Sequence, residues 1–184
     1  TQEYISVADQ EFQKALQHLK NEYSKLQTGR ASPALVEDLK VEAYGGFQPL
    51  KSLASVSIPD PKTLQIQPWD KGILGAIEKA IQSGNLGLNP VNDGRVIRLP
   101  MPPLTEERRK ELVKAVHQMA ENAKISIRNA RGTAHGAFKT MEEAKEISED
   151  ERRLSEKHLQ EKVDKANKDV EELAKKKGED IMTI

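Results

Sequence analysis

The chain has 184 residues, 29 of them basic and 29 acidic, so its formal charge is zero, and it contains no cysteine. That length fits one domain or two small ones, and a composition of 36% hydrophobic, 4% aromatic and 32% charged residues points away from one large core and towards small cores or an elongated helical body. Disulfide scaffolds, thiol catalysis and cysteine-based zinc sites are excluded, and only local charge can argue for nucleic acid or a membrane surface.

Residues 1–28 carry Ala8, Phe12, Leu16, Leu19, Tyr23 and Leu26 at spacings of four and three. This places one narrow apolar stripe on a helix. Gly29 supplies a stop signal and Pro33 opposes continuation. The character then changes. Val41–Tyr44 reads as a strand and Gly45-Gly46 as a turn. Ser55–Ile58 and Thr63–Gln67 alternate as strands, separated by Pro59, Asp60 and Pro61. Trp69, the lone tryptophan, reads as a core plug at the following strand-to-helix turn. Lys71–Ser83 is a short helix with Ile73, Ile77, Ala80 and Ile81 inward, ended by Gly84. A turn at Asn92-Asp93-Gly94 leads to a last strand, Arg95–Leu99.

From Leu104 onward the pattern is helical again. Thr105 is a good N-cap, and Glu106 and Glu107 favour a helix start. Leu112, Val116, Met119, Ala123, Ile127, Ala130, Ala134, Ala137 and Met141 form the second stripe. Ser148 and Glu151 make a capping-box pattern, so a third helix begins there. Its stripe is Leu154, Leu159, Val163, Ala166, Val170 and Leu173. Lys175-Lys176-Lys177 reads as a solvated helix end that complements the dipole.

No such helix can bury its stripe alone. The expected fold is therefore α+β: a discontinuous three-helix bundle from residues 1–29 and 104–184, with residues 30–103 inserted as a small β/α/β domain. The two connections must lie side by side. Gly29, Arg30, Ala31, Ser32, Pro100, Met101, Pro102 and Pro103 are the candidate hinge.

The four histidines, His18, His117, His135 and His158, form no H-E-x-x-H, and no G-x-S-x-G, Walker A loop or G-x-G-x-x-G is present. The expectation is a protein that is not an enzyme and carries no metal or cofactor. No run of about 18 apolar residues suggests a membrane helix, and no signal-peptide pattern opens the sequence.

Local charge is more informative. Between Arg108 and Lys139 eight basic residues meet only Glu111 and Glu121, whereas from Thr140 onward ten basic residues meet fourteen acids. Lys124, Arg128 and Arg131 share one face of the second helix, offset from the apolar stripe. Such a row suits phosphates. Pairing with the acidic third helix suits it equally. Aromatic rings are missing from the row, so RNA would be bound by backbone and shape rather than by stacked single-stranded bases. Gly132 and Gly136 sit inside this helix at about 1 kcal/mol each against alanine. Tight packing or plain tolerance explains them more simply than close approach of a partner backbone.

Five motifs in order then resemble one family. They are Thr28-Gly29-Arg30-Ala31-Ser32-Pro33, Leu86-Gly87-Leu88-Asn89-Pro90, the run Pro102 to Lys110 (PPLTEERRK), Ile127-Arg128-Asn129-Ala130-Arg131, and Glu146-Ile147-Ser148-Glu149-Asp150. Together they resemble bacterial-type ribosome recycling factors almost end to end. The resemblance implies an L-shaped, hinged molecule with the outline of transfer RNA. It implies action on the 70S-type ribosome left on messenger RNA after termination, with the subunits split jointly with elongation factor G and the GTP used by that partner. It places the bundle on large-subunit ribosomal RNA, with the smaller domain as the part on which elongation factor G acts. It matches Arg128 and Arg131 to arginines that face ribosomal RNA, Arg108 and Arg109 to basic positions near the hinge end of the same helix, and Gly29, Arg30, Pro102 and Pro103 to the hinge; with Lys124 of the basic row and Asn129 between the arginines, these are the candidate ribosomal-RNA and hinge residues. It further implies a monomer, away from membranes, in the cytoplasm or in an organelle after loss of a transit peptide. Five positions, in three places, depart from the family pattern. Gly132-Thr133 stand where a basic residue and Asp are usual, Glu11-Phe12 where Arg-Met is usual, and Gln27 replaces a common Arg.

Overall fold

The computed structural model describes residues 1–183. The chain divides into two compact units, Thr1–Tyr23 with Lys110–Thr183, and Ser24–Arg109.

The first unit is built from three helices: α1 (Gln2–Lys25), α3 (Glu106–Glu143) and α4 (Glu149–Met182). Each buries one stripe. Ile5, Ala8, Phe12, Leu16, Leu19 and Tyr23 come from α1. Leu112, Val116, Ala120, Ala123, Ile127, Ala134 and Phe138 come from α3. Ser155, Leu159, Val163, Ala166, Val170, Ala174 and Ile181 come from α4. Phe12 and Phe138 are wholly inaccessible, so much of the hydrophobic stabilisation of an aromatic-poor bundle rests on two rings. Tyr23 adds a polar tie: its hydroxyl donates to the Val116 carbonyl at 2.9 Å, and burial pushes its pKa up to about 12.

Two stripe assignments shift. Leu154 is 54% exposed; Ser155 takes the inward position, its hydroxyl donating to the Glu151 carbonyl at 2.8 Å. Phe138, absent from the expected stripe, fills the core near the end of α3. The capping box at the start of α4 is present. Ser148 Oγ accepts from the Glu151 N–H at 3.2 Å, and the Glu151 carboxylate accepts from the Ser148 N–H at 2.8 Å. Because α4 runs on to Met182, Lys175–Lys177 lie inside it rather than at its end. Lys177 is partly buried, and desolvation lowers its pKa.

The second unit holds a two-stranded sheet, β1 (Lys40–Ala43) with β2 (Gly46–Pro49), and a four-stranded antiparallel sheet ordered β3-β4-β6-β5. Its strands are β3 (Ala54–Asp60), β4 (Thr63–Pro68), β5 (Val91–Asn92) and β6 (Ile97–Pro100). Helix α2 (Leu74–Ser83) packs Leu74, Ile77 and Ile81 into a core with Val36, Val41, Leu64, Ile66 and Leu99. The β1–β2 turn falls at Tyr44-Gly45, one residue before the expected Gly45-Gly46. Both turn residues have positive φ, 55° and 81°, as a two-residue turn matching the strand twist requires.

Trp69 corrects a sequence expectation: it is 69% exposed and plugs no core. Parity explains why. Leu64, Ile66 and Pro68 face inward along β4, so the residue after Pro68 points away. Asp70 beside it accepts from the Tyr44 hydroxyl at 2.7 Å and from the Gly72 N–H at 2.8 Å. These two bonds hold its carboxyl below the usual carboxylate range.

The boundaries between the units fall inside α1 and α3, at 23/24 and 109/110 rather than at the expected 29/30 and 103/104. The end of the first helical segment is tied to the second unit: Gln27 donates its amide to the Leu86 carbonyl, and Thr28 is buried. Within the expected hinge, Ala31 and Met101 belong to the β-unit core. Their N–H groups donate to adjacent carbonyls of one turn, Pro61 at 2.8 Å and Lys62 at 2.7 Å. The two connections therefore do run side by side. Gly29 takes a φ of 80° between them and α1, while Arg30, Pro102 and Pro103 are exposed and Ser32 is half-buried.

Candidate nucleic-acid interface

The basic row lies on α3, whose 38 residues span roughly 57 Å at about 1.5 Å per residue. Apolar burial fixes its rotation. Ala120, Ala123, Ile127 and Ala134 point into the bundle, so Arg128 and Arg131, one turn apart, stand on the flank of the buried stripe. Both are exposed. Among the described residues neither forms an ion pair.

Lys124 behaves differently. Its ammonium donates to Glu171 Oε1 on α4 at 3.1 Å and lies 3.7 Å from Glu121 Oε1. Its side chain is only 27% exposed, and the hydrogen bond to Glu171 raises its pKa. The two readings of the row thus divide between residues: Lys124 pairs within the bundle, whereas Arg128 and Arg131 do not.

The α3–α4 register explains the division. Cross-helix polar contacts join Lys124 to Glu171 at one level, and His135 to Glu156 and Glu142 to Arg152 further along. Arg128 and Arg131 fall between these rungs. At the matching level of α4 the half-buried residues are Gln160, Lys162 and Asn167. Lys162 turns to Asp9 of α1 at 2.7 Å, and Asp164 accepts the Gln160 amide at 2.7 Å. No carboxylate of that stretch, Glu161 and Asp169 included, forms an ion pair with either arginine.

Beside the arginines the outer face of α3 is uncharged and low in relief. A Cβ added at Gly132 or Gly136 would meet nothing within 4 Å, so tight packing does not account for either glycine. The hydroxyls of Ser126, Thr133 and Thr140 fold back onto the carbonyls of Asn122, Asn129 and Gly136 at 3.1–3.2 Å. Asn129 is exposed on this face. A planar guanidinium next to such a surface can meet a phosphate with two parallel N–H···O bonds.

The remaining pair is set apart. Arg108 is exposed and Arg109 half-buried, and both fall in the second compact unit. The Arg108 N–H donates to the Thr105 hydroxyl at 3.2 Å, confirming Thr105 as the cap of α3. Among the described residues no cluster of three or more His, Asp or Glu could hold a metal ion, and no helix is long and apolar enough to cross a membrane.

Residues 19–182 match the family model described as ribosome recycling factor. The chain belongs to the ribosome recycling factor family. It is 49% identical to the ribosome-recycling factor of Carboxydothermus hydrogenoformans, over 100% of this chain and 99% of the relative. It is 47% identical to that of Chloroflexus aggregans, over 98% and 97%. Among solved structures, a solution structure of ribosome recycling factor superposes with a TM-score of 0.78 at 42% identity, covering 100% of this chain and 97% of that one. A second match describes models of the T. thermophilus ribosome recycling factor and the E. coli elongation factor G bound to the E. coli post-termination complex. There the TM-score is 0.68 at 44% identity, covering 98% and 97%.

Within this ribosome recycling factor chain, Arg128, Asn129 and Arg131 share one exposed stretch, Lys124 is diverted by an acid, and Arg108 and Arg109 stand in the other unit. Sequence reading missed Glu121 and Glu171 as parts of the site. The spacing of Glu121 from Lys124 was a readable signal; Glu171 required the register between two helices.

Proposed function

We propose that this protein disassembles ribosomes after termination, splitting the subunits together with elongation factor G so that they leave the messenger RNA and are reused. The single observation that carries this reading is the full-length likeness to a recycling factor described, together with elongation factor G, as bound to a post-termination complex. Arg128 and Arg131 grip large-subunit ribosomal RNA, with Asn129 beside them and Arg108 and Arg109 at the other end of α3. Affinity comes from guanidinium–phosphate bonds and the counterions they release. The work comes from movement at the paired connections, through Gly29, Arg30, Ser32, Pro102 and Pro103, with Ala31 and Met101 as anchors in the β unit. On this reading the protein is no enzyme and carries no cofactor; GTP is hydrolysed by elongation factor G. It acts as a monomer in the compartment where ribosomes translate.

Light scattering on purified post-termination ribosomes tests this. A fall in scattering that needs this protein, elongation factor G and GTP together is expected. Persistent scattering with all three present refutes the reading. A second test cross-links engineered cysteines in the two units. Ribosome binding should survive and splitting should stop; undiminished splitting removes the hinge from the mechanism.

A further inference from the structure

We infer that Glu171 is a restraint on RNA affinity, acting through Lys124; the inference rests on the RNA-binding reading of the α3 face. The row Lys124, Arg128, Arg131 repeats at helical spacing, yet only the two arginines are free to meet a phosphate. Lys124 donates to Glu171 at 3.1 Å and has Glu121 at 3.7 Å. One ammonium between two carboxylates makes that end of the row a net negative spot. An arriving phosphate must displace Glu171 from Lys124 and then face two acids.

Position separates the two acids. Glu121 lies on the same helix as Lys124, and a spacing of three residues brings such side chains together regardless of partner. Glu171 comes from another helix and supplies the shorter contact. At 67% exposure Glu171 contributes little to the fold, since exposed ion pairs are worth at most about 1 kcal/mol. What it does control is where the Lys124 ammonium points. Glu171 is thus a positioning residue. It holds the third cation of the row in the bundle and keeps this row's grip on RNA at two contacts, which suits a factor that must leave after each round.

The test is the salt dependence of binding to purified large ribosomal subunits by the full chain and the variants Glu171→Gln, Lys124→Ala, their combination, and Arg128→Ala. Glu171→Gln should bind about three- to tenfold more tightly at low salt. Its slope of log affinity against log salt should steepen by about one, for one added phosphate contact. Adding Lys124→Ala should abolish both gains. The slope is the decisive readout, because a merely structural role for Glu171 would not change the number of counterions released. Unchanged affinity and slope in Glu171→Gln overturns the inference. So does a gain that persists without Lys124, since removal of any anion would then suffice. If Arg128→Ala binds like wild type, the RNA face itself is misassigned and the inference falls with it, a failure recognisable from that variant alone.

Discussion

Removing both unpaired arginines at once should weaken ribosome binding in a way that salt measures directly. In Arg128→Ala/Arg131→Ala no internal ion pair is lost, because neither side chain has one among the described residues. Both are exposed on α3, so stability should stay within about 0.5 kcal/mol, and alanine is the better helix former. The change in affinity can then be assigned to RNA. Each phosphate contact contributes about 0.7–0.9 to the slope of log affinity against log salt. Two contacts contribute about 1.4–1.8. Raising salt fourfold, from about 50 to 200 mM, should therefore cost wild type roughly seven- to twelvefold more affinity than it costs the double variant. Lys124→Ala should change the slope by less than either arginine variant, because Lys124 already exchanges its charge with Glu171. Fluorescence anisotropy of labelled protein against ribosomes across a salt series reads the lines of wild type, the double variant, the two single arginine variants and Lys124→Ala. Parallel lines for wild type and the double variant would refute the assignment of this face. A larger effect from Lys124 than from Arg128 would refute the reasoning from ion-pair geometry.

Three further outcomes are expected. Phe138→Ala should destabilise the protein by about 3–5 kcal/mol in urea unfolding, since the ring is fully buried near the end of α3; a loss below about 1 kcal/mol would mean that the helix ends do not unfold with the rest. Gly132→Ala should raise stability by up to about 1 kcal/mol, because its Cβ enters open space, and a lowered melting temperature would reveal a contact at that site. Tyr23 carries a raised pKa of about 12 when folded. The folded state thus holds its proton more tightly, so stability is full below the unfolded value of about 10 and declines as pH rises towards 12. Tyr23→Phe should flatten that decline between pH 9.5 and 11.5 in urea titrations, and an unchanged profile would clear Tyr23 of it.

Much of the helical unit was legible because its period is long and its boundaries are chemical. Ser148 and Glu151 marked the start of α4 from sequence alone, and the two reciprocal bonds are formed. Phe12, Leu16, Leu19 and Tyr23 lie buried as their spacing requires. What escaped was local competition for a stripe. Leu154 and Ser155 are neighbours, and hydrophobicity favours Leu154, yet the phase set by Leu159, Val163, Ala166 and Val170 turns Ser155 inward, where its hydroxyl is satisfied by the Glu151 carbonyl. Trp69 failed for a different reason. A residue-type preference was set against strand parity, and in a six-residue strand with Leu64, Ile66 and Pro68 inward, parity governed. The two-residue β5 was too short to carry any period.

The site shows where a one-dimensional reading stops. Spacing alone places Lys124, Arg128 and Arg131 on one face, and that much follows from 3.6 residues per turn. Whether each charge is available depends on what lies opposite, which is a property of two helices and their register. In composition α4 carries an acidic excess, and an average excess treats all three cations alike. The actual ladder is discrete: Glu171 meets Lys124, Glu156 meets His135, and Glu142 meets Arg152. Acids spaced to meet other rungs cannot also neutralise Arg128 and Arg131, and that gap leaves a neutral protein with two free guanidinium groups on one helix. Zero net charge and a local phosphate grip are then compatible, because charge neutralised elsewhere in the bundle lies off the surface that an RNA backbone would touch and is screened from it within about a Debye length.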